Sequence, residues 1–506
     1  MSIIKLLKIS LILAILSCQG AQAQNNKNNS NANSGINARK NVLFILCDDL
    51  RFDMLGYAGS PAKTPNVDAL EKESVNFKMA MTTTGLCSPS RAALLTGRLG
   101  HRTGLDDNVQ LWHSRLLGLD LKHTTLIEWA IKAGYWTGYF GKWHLGALGP
   151  IKRGANRFSE GAGMENNLGF GKKPDFQAVK NYYNSNTDVE KPHYYALTKG
   201  GYEESQPKKE VNDAVAFLEE ATKINQPFFL TVSFHAPHPP YRVPKPFDTM
   251  YDYRKVELPG SITDPFENKP PGQREILWPW HDVGHMRKED WQKTIAYSQG
   301  NMSLLDQAIG EVLNALKKSG NWQNTLIVFA GDQGSMLADH GLYDKMAYSY
   351  DELMRIPILI KAPGITPKQI DRQVSLIDIN QTLVEWMGLK PTQPNLDSRS
   401  LFPLLKNGNT GWNTPDEAYY RYEWYNGSWF GVRTIRTPEY KYCWNPVGEI
   451  DELYDLKKDP REIINQIDKP AYKKIQEELQ LRLLNHLKEV EDPLYEKMKL
   501  VKKINQ

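Results

Sequence analysis

The stretch Asn41-Val42-Leu43-Phe44-Ile45-Leu46-Cys47-Asp48-Asp49 decides the fold class of this chain. Its apolar part is continuous, which is typical of a strand that is buried on both faces, as in a parallel sheet covered by helices. Comparable apolar runs recur at residues 136–140, 228–234, 326–330 and 356–360. We therefore predict a strand at each of these five places.

Helical patterns lie between these runs. Apolar residues recur at helical spacing within residues 124–133, 211–221, 291–318 and 377–387. Strands that alternate with helices predict an α/β sandwich, in which helices flank a large, mostly parallel central sheet. A catalytic domain is therefore predicted over residues 41–390.

The alternation fades after about residue 391. Short strands are predicted at 419–423, 430–434 and 440–444, followed by a polar helix at 471–490. Residues 391–506 are therefore predicted to form a small C-terminal α+β subdomain. The proline-rich insertion (residues 250–289) shows no period of its own, and an ordered insertion of that length is more often functional than accidental.

Composition is ordinary for a globular protein, with 41% hydrophobic and 24% charged residues. The formal net charge of +4 comes without a clustered basic run, which argues against nucleic-acid binding. Two of the four cysteines, Cys47 and Cys443, are predicted to be structural. So few cysteines argue against a disulfide framework.

The first residues predict export. Lys5 and Lys8 precede an apolar run that is too short to span a bilayer, and Ala21-Gln22-Ala23 fits a signal-peptidase site, so residues 1–23 are predicted to be a signal peptide. Alternatively, a lipoprotein signal ends before Cys18, which would carry a lipid anchor. Residues 24–40 are predicted to be a disordered tether. The protein is thus expected in the periplasm or lipid-anchored to a bacterial membrane.

Polar residues follow four of the predicted strands. Asp48-Asp49 follows the first strand and Asp332-Gln333 follows the strand at 326–330, while the other polar groups are Lys142, His144 and His238. Catalytic groups of such sheets gather outside the carboxyl ends of the strands, so these side chains are expected to meet at one edge.

The carboxylates among them suggest a metal site. Asp48, Asp49 and Asp332, with the side-chain carbonyl of Gln333, are the oxygen ligands that a hard divalent cation prefers. The absence of a Cys/His cluster argues against zinc. The alternative for Asp48-Asp49 is that the pair only caps the following turn.

A second pattern is the run Cys87-Ser88-Pro89-Ser90-Arg91, which continues to Leu94-Leu95-Thr96-Gly97-Arg98. It resembles the signature of the type I sulfatases of the alkaline phosphatase superfamily. In that family a formylglycine-generating or an anaerobic sulfatase-maturating enzyme oxidises the cysteine to formylglycine (3-oxoalanine). A hydrated aldehyde has two hydroxyls on one carbon, so that one accepts the sulfuryl group and the other collapses to expel sulfate. For an isolated cysteine the alternative would be a small buried hydrophobe.

The resemblance runs from residue 41 to about residue 466 and implies an alkaline-phosphatase-like fold and roles for single residues. It implies one calcium ion held by Asp48, Asp49, Asp332, Gln333 and the formylglycine at position 87. The family more often has Asn or His where this chain has Gln333.

The resemblance also implies roles in the reaction. Arg91 and the metal would fix the hydrated aldehyde, and Asp332 would help to accept its proton. Lys142 and Lys345 would contact sulfate oxygens. His238 would protonate the leaving oxygen, with His235 as its competitor, and His144 would take the remaining hydroxyl proton.

The substrate is less constrained by the sequence. Loop residues with aromatic, arginine and histidine side chains suit sugar rings and acidic groups on them: Trp112, His113, Arg115, Arg153, Tyr182, Tyr183, His193, His235, Arg242, Trp278 and Trp280. The segment from His238 to Phe247 is faintly similar to iduronate 2-sulfatases. A carbohydrate sulfatase is therefore expected, acting on an algal polysaccharide such as ulvan or on a glycosaminoglycan.

Two alternatives remain at this point. One is a phosphomonoester or phosphonate hydrolase of the same superfamily, and the other is a non-catalytic protein that binds sulfated glycans on a sulfatase scaffold.

Overall fold

A computed structural model describes residues 40–109, 118–146, 149–159, 194–277, 281–390, 396–425, 428–448 and 450–502. The predicted signal peptide, lipid-anchor site and tether lie outside these residues, apart from Lys40. Within the described ranges, no helix is both long and apolar enough to cross a membrane.

Within the described residues, the central sheet has nine strands: β1 (Asn41–Cys47), β2 (Val75–Met81), β3 (Trp136–Gly141), β4 (Arg157–Phe158), β6 (Phe228–Phe234), β8 (Thr325–Gly331), β9 (Arg355–Ile356), β10 (Ile358–Lys361) and β11 (Lys368–Ser375). Their order is β11-β2-β10-β8-β1-β6-β3-β4, with β9 paired to β2. Two further strands, β5 (Tyr195–Leu197) and β7 (Tyr241–Val243), pair with each other.

Four neighbouring strands carry the predicted polar ends. β8, β1, β6 and β3 are adjacent and parallel, and Cys47 pairs with both Phe234 and Gly331 while Gly141 pairs with Ser233. Because these pairs are the ends of the strands, the residues that follow them emerge at one edge. This edge, formed by the residues directly after β1, β3, β6 and β8, is called the strand-end edge below.

The central strands are buried on both faces, as their apolar runs predicted. Leu43, Ile45 and Cys47 pack in one hydrophobic cluster, and Val42 and Phe44 pack in the other. The alternation follows from the twofold side-chain period of a strand.

The structure has two short strands where one was predicted at residues 356–360. Pro357 divides it into β9 and β10, because proline has no N–H to donate to a ladder. β10 runs antiparallel to β8, so its carboxyl end lies away from the strand-end edge. The sheet is nevertheless mostly parallel, as predicted.

The helices that precede the C-terminal sheet are α1 (Pro65–Lys72), α2 (Cys87–Thr96), α3 (Gly100–Thr103), α4 (Leu126–Lys132), α5 (Gly149–Lys152), α6 (Gln206–Ala221), α7 (Lys288–Lys318), α8 (Asp351–Met354), α9 (Asp378–Trp386) and α10 (Phe402–Asn407). The four predicted helices are α4, α6, α7 and α9, each within a few residues of its predicted bounds. Among its described residues the proline-rich insertion contains the short 3-10 turns Tyr253–Lys255 and Pro271–Arg274, and helix α7 begins within its last two residues.

An antiparallel sheet follows, with strands β12 (Ala418–Tyr425), β13 (Ser428–Arg436), β14 (Tyr440–Trp444) and β15 (Glu452–Asp455) in sequential order. Helix α11 (Lys473–Glu489) packs its leucines against this sheet, and α12 (Tyr495–Lys502) packs beside it. The C-terminal sheet and helix were predicted. The boundary at residue 391 stays a prediction.

Candidate active site and metal centre

Cys87 is the first residue of helix α2, which the sequence pattern did not predict. Pro89 lies in the first turn, where its missing N–H costs nothing. The backbone N–H of Ser88 is satisfied by Asn108 Oδ1 at 3.0 Å. The helix ends at Gly97, which has a φ of 69° and would clash with Asn380 if it carried a Cβ. Cys87 therefore sits at the positive end of a well-anchored helix.

The serines of the motif hold this helix against the strand-end edge. Ser90 Oγ donates to the backbone oxygen of Asp332 at 2.7 Å, and Ser88 Oγ donates to the backbone oxygen of His144 at 2.7 Å. Burial and the charge of Asp48 raise the pKa of Cys87 to about 12. The unmodified side chain is thus a neutral thiol and a poor nucleophile.

Two buried carboxylates face two buried lysines beside Cys87. Lys142 Nζ lies 2.5 Å from Asp48 Oδ2, and Lys345 Nζ lies 2.6 Å from Asp49 Oδ2. Burial alone would raise the pKa of Asp48, but Lys142 and other cations hold it well below its usual value. Asp48 is therefore a charged acceptor ready for a cation.

One potential ligand atom from each of Asp48, Asp49, Cys87 and His238 lies within 4.8 Å of the others. Gln333 joins this group, because its Nε2 donates to Asp49 Oδ1 and lies 3.1 Å from Cys87 Sγ. Its buried Oε1 has no partner among the described residues. A 180° turn of the amide would exchange the two atoms and aim the carbonyl oxygen at the carboxylates, so the residues fit a hard cation.

Asp332 is in the site but outside that group of four. Its Oδ1 accepts the backbone N–H groups of Asp49 at 3.0 Å and Gln333 at 2.8 Å, and its Oδ2 accepts Arg91 Nε at 2.7 Å. Burial raises the pKa of Asp332 to about 7. Its predicted roles as a ligand and proton acceptor stay predictions.

Arg91 lies one helical turn after Cys87 and is fully buried. Besides Asp332, it donates to the Lys142 backbone oxygen at 2.9 Å and to Ser233 Oγ at 2.7 Å, and its Nη2 lies 3.4 Å from Asp48 Oδ1. The guanidinium thus ties the ends of β1, β3, β6 and β8 together. Its predicted contact with a hydrated residue 87 stays a prediction.

His238 belongs to the same cluster as the two carboxylates and Cys87. Its Nδ1 is bonded to the Pro239 backbone oxygen, which makes Nδ1 the donor. Its Nε2 lies 3.0 Å from Lys345 Nζ and 3.7 Å from Asp49 Oδ2. Burial and the charge of Lys345 lower the pKa of His238, and the carboxylates of Asp49 and Asp48 oppose this shift.

His144 follows Lys142 with a left-handed backbone, at a φ of 57°. Asp49 and Asp344 are left-handed as well, at 59° and 63°. Such strained conformations are held by the surrounding structure and are common at functional sites. The Nδ1 of His144 is buried without a partner among the described residues, and burial lowers the pKa of the ring well below its usual value.

His235 contacts Glu210, a residue that the sequence analysis did not predict to belong to the site. Its Nδ1 lies 2.6 Å from Glu210 Oε1, and Glu210 is buried on helix α6. A Cβ atom added to Gly141, at the end of β3, would lie 3.5 Å from the carboxyl carbon of Glu210. Glu210 therefore lies beneath the strand-end edge. The available signal was a carboxylate within the apolar stripe of α6, beside Val211 and Ala214.

The remaining substrate residues are less well defined. Trp112 and His113 lie outside the described residues, as do Arg115, Tyr182, Tyr183, His193, Trp278 and Trp280. Arg242 lies on β7, where it is half-buried and alternates with the buried Tyr241 and Val243. Arg153 binds the backbone oxygens of Leu119 and His123 at 2.8 Å, which is a structural role.

Most of the chain is similar to known proteins. The family model described as Sulfatase covers residues 40–389, and the model described as N-sulphoglucosamine sulphohydrolase, C-terminal, covers residues 338–489. The uncharacterized sulfatase YidJ of Escherichia coli is 28% identical over 90% of this chain and 88% of its own length. The ulvan-active sulfatase of Formosa agariphila is 29% identical over 92% and 84%.

The fold is also found in a phosphonate monoester hydrolase of Agrobacterium radiobacter, with a TM-score of 0.73 at 23% identity, over 89% of this chain and 96% of that one. The match to the Sulfatase model over residues 40–389 makes the chain a hydrolase of the alkaline phosphatase superfamily, to which the sulfatases belong. Within that superfamily, the chain belongs to the sulfatase family and is a sulfuric ester hydrolase. This family generally depends on formylglycine and a metal ion.

Proposed function

We propose that this chain removes sulfate from a sulfated carbohydrate, using a formylglycine made from Cys87 and one calcium ion. The observation that carries the proposal is the convergence of Asp48, Asp49, Cys87 and His238 at one point, with Lys142 and Lys345 on the two carboxylates. The ulvan-active relative supports a carbohydrate substrate. The predicted signal at residues 1–23 supports an exported enzyme, periplasmic or lipid-anchored, that meets extracellular polymers.

Asp48, Asp49 and Gln333 would hold the calcium ion, with Asp332 beside them. Bound there, the ion would offset the negative charge of the sulfate ester and of the nucleophile. The hydrated aldehyde would supply one hydroxyl for attack, whose proton Asp332 would accept, and a second hydroxyl for release of sulfate. Conversion of Cys87 requires a maturation enzyme as a partner.

The chain's own residues do the rest of the work in this proposal. Lys142 and Lys345 turn their ammonium groups to the sulfate oxygens and stabilise the charge that develops there. The negative charge of the bound ester raises the pKa of His238, which then donates its Nε2 proton to the leaving oxygen. His144, whose backbone oxygen accepts the hydroxyl of Ser88 next to residue 87, accepts the proton of the second hydroxyl.

The test is a screen for sulfate release by protein whose peptide 81–91 is verified as converted by mass spectrometry. The substrates are ulvan oligosaccharides, N-acetylglucosamine 6-sulfate and glycosaminoglycan disaccharides, with the sulfate and phosphate esters of 4-nitrophenol as references. We expect sulfate release from at least one sugar. Preference for the phosphate ester would indicate a phosphohydrolase, and saturable glycan binding without sulfate release would indicate a binding protein.

A further inference from the structure

Two segments that are far apart in the sequence meet beside Lys345. His281 belongs to the proline-rich insertion, and Tyr425 ends strand β12 of the C-terminal sheet. Their rings stack with centroids 5.5 Å apart and an angle of 27° between the planes. Both are buried, with exposed fractions of 9% for His281 and 5% for Tyr425.

The charge of Lys345 influences the pKa of both rings. Burial raises the pKa of Tyr425 well above its usual value, and the carboxylate of Asp344 adds to the shift while Lys345 opposes it. Burial lowers the pKa of His281 to about 3, opposed by the backbone of Lys345 and assisted by its ammonium group. The stacked pair therefore lies against the segment that carries a predicted sulfate-binding lysine.

The ring nitrogens of His281 lack hydrogen-bond partners among the described residues. Neither Nδ1 nor Nε2 makes a hydrogen bond of acceptable geometry within the described part of the chain, although the Lys345 backbone is close. Buried polar atoms are normally satisfied, and an exception calls for an explanation. A buried ring nitrogen that is fixed in place by stacking and lies close to the backbone of Lys345 is suited to contact a ligand atom.

We propose that His281, held by Tyr425, binds a hydroxyl group of the sugar next to the sulfate ester. A neutral imidazole has one donor nitrogen and one acceptor nitrogen, and a sugar hydroxyl can accept from the first or donate to the second. A second sulfate or a uronate needs donors only, so it fits this ring less well. The assignment rests on the proposed function, because it names a contact to the leaving group of that reaction.

The test compares two substrates and three variants. His281→Phe keeps a flat ring for Tyr425 but removes both nitrogens, whereas His281→Gln keeps one donor and one acceptor. The control is His285→Ala, because His285 is exposed on the same insertion. The substrates are 4-nitrophenyl sulfate, which has no sugar hydroxyl, and the sugar sulfate that is cleaved best among N-acetylglucosamine 6-sulfate, ulvan oligosaccharides and glycosaminoglycan disaccharides.

We expect His281→Phe to lower kcat/KM for the sugar sulfate by about tenfold, which corresponds to one lost hydrogen bond, and to leave 4-nitrophenyl sulfate unchanged. His281→Gln should restore most of the activity, and His285→Ala should have no effect. Melting temperatures verify that each variant folds.

An unchanged His281→Phe enzyme, or one that loses both substrates equally, would overturn the assignment while leaving the sulfatase intact. A converted wild-type enzyme that cleaves 4-nitrophenyl sulfate but no sugar sulfate would instead overturn the proposed substrate class, and the assignment with it. The two failures are therefore distinguishable.

Discussion

The strand-end edge and the His281–Tyr425 pair differ in how the chain builds them. The edge takes its groups from four adjacent parallel strands, whose ends are fixed by register. The pair takes one ring from an irregular insertion and the other from a separate antiparallel sheet. We infer that the edge supplies the chemistry, which any sulfate ester requires, while the pair supplies recognition of one class of leaving group.

The strongest test of this division is Cys87→Ser. A serine has only one hydroxyl, so it cannot expel sulfate as the hydrated aldehyde does, and we expect kcat to fall by about 10⁴-fold or more for aryl and sugar sulfates alike. Single-turnover kinetics of sulfate release measure the loss. Cys443→Ser is the matched control, because Cys443 is equally buried but lies in the C-terminal sheet. A Cys87→Ser enzyme as fast as the wild type would refute the proposed nucleophile.

Asp49→Asn tests the metal centre. The variant removes the charge that Lys345 now neutralises, and we expect about 10³-fold lower activity on both substrates, as for loss of a main electrostatic group. Calorimetry adds a readout that is independent of turnover. Calcium at a hundredfold excess over its Kd should stabilise the wild type by ~2.7 kcal/mol and the variant by much less.

Equal stabilisation of both proteins by calcium would exclude Asp49 as a ligand. Dialysis against a chelator and addition of magnesium in place of calcium are the controls for the identity of the ion, because magnesium demands a tighter octahedral site.

His238→Ala separates the two substrates within the strand-end edge. Alkoxide leaving groups need a proton, whereas 4-nitrophenolate leaves unaided, so we expect a loss of about 10²- to 10³-fold on a sugar sulfate and a small loss on 4-nitrophenyl sulfate. Lys345→Ala is the comparison, since Lys345 contacts both His238 and Asp49 and should affect both substrates. Equal losses for His238→Ala on the two esters would contradict its role as the acid.

Much of the edge could be predicted because strands buried on both faces leave an unbroken apolar run, and the residues after each run are the ones that reach the edge. Helix α2 was missed because Ser88, Pro89 and Ser90 obscure its first turn, although Pro89 is favourable there. The orientation of β10 depends on Pro357 and on pairing with β8, and neither produces a periodic signal.

The His281–Tyr425 pair could not be predicted, for a different reason. His281 lies in an insertion whose sequence has no period, and Tyr425 extends a strand that was predicted to end at residue 423. Nothing in either segment indicates that they meet. Contacts between irregular segments depend on the tertiary fold, so the pair is visible only in the structure.

Glu210→Gln is expected to have the smallest effect. Glu210 lies under the strand-end edge but contacts none of the predicted metal ligands in the described structure. The Glu210 carboxylate accepts the Nδ1 proton of His235 at 2.6 Å, which leaves Nε2 as the acceptor of that ring. A glutamine can donate to Nδ1 instead and so select the other tautomer. If His235 contacts the substrate, we expect kcat/KM for the sugar sulfate to fall by about tenfold, the cost of one misplaced hydrogen bond, with no change in folding.

Nitrogen NMR of the His235 imidazole should report the change of tautomer in the same variant. Glu219→Gln, an exposed change on the same helix, is the control and should leave both the spectrum and the activity unchanged. A tautomer change without loss of activity would make His235 a structural residue and would leave His238 as the sole acid after β6. Loss of activity on 4-nitrophenyl sulfate as well would instead assign the Glu210–His235 pair to the chemistry of the strand-end edge, since that ester has no sugar to recognise.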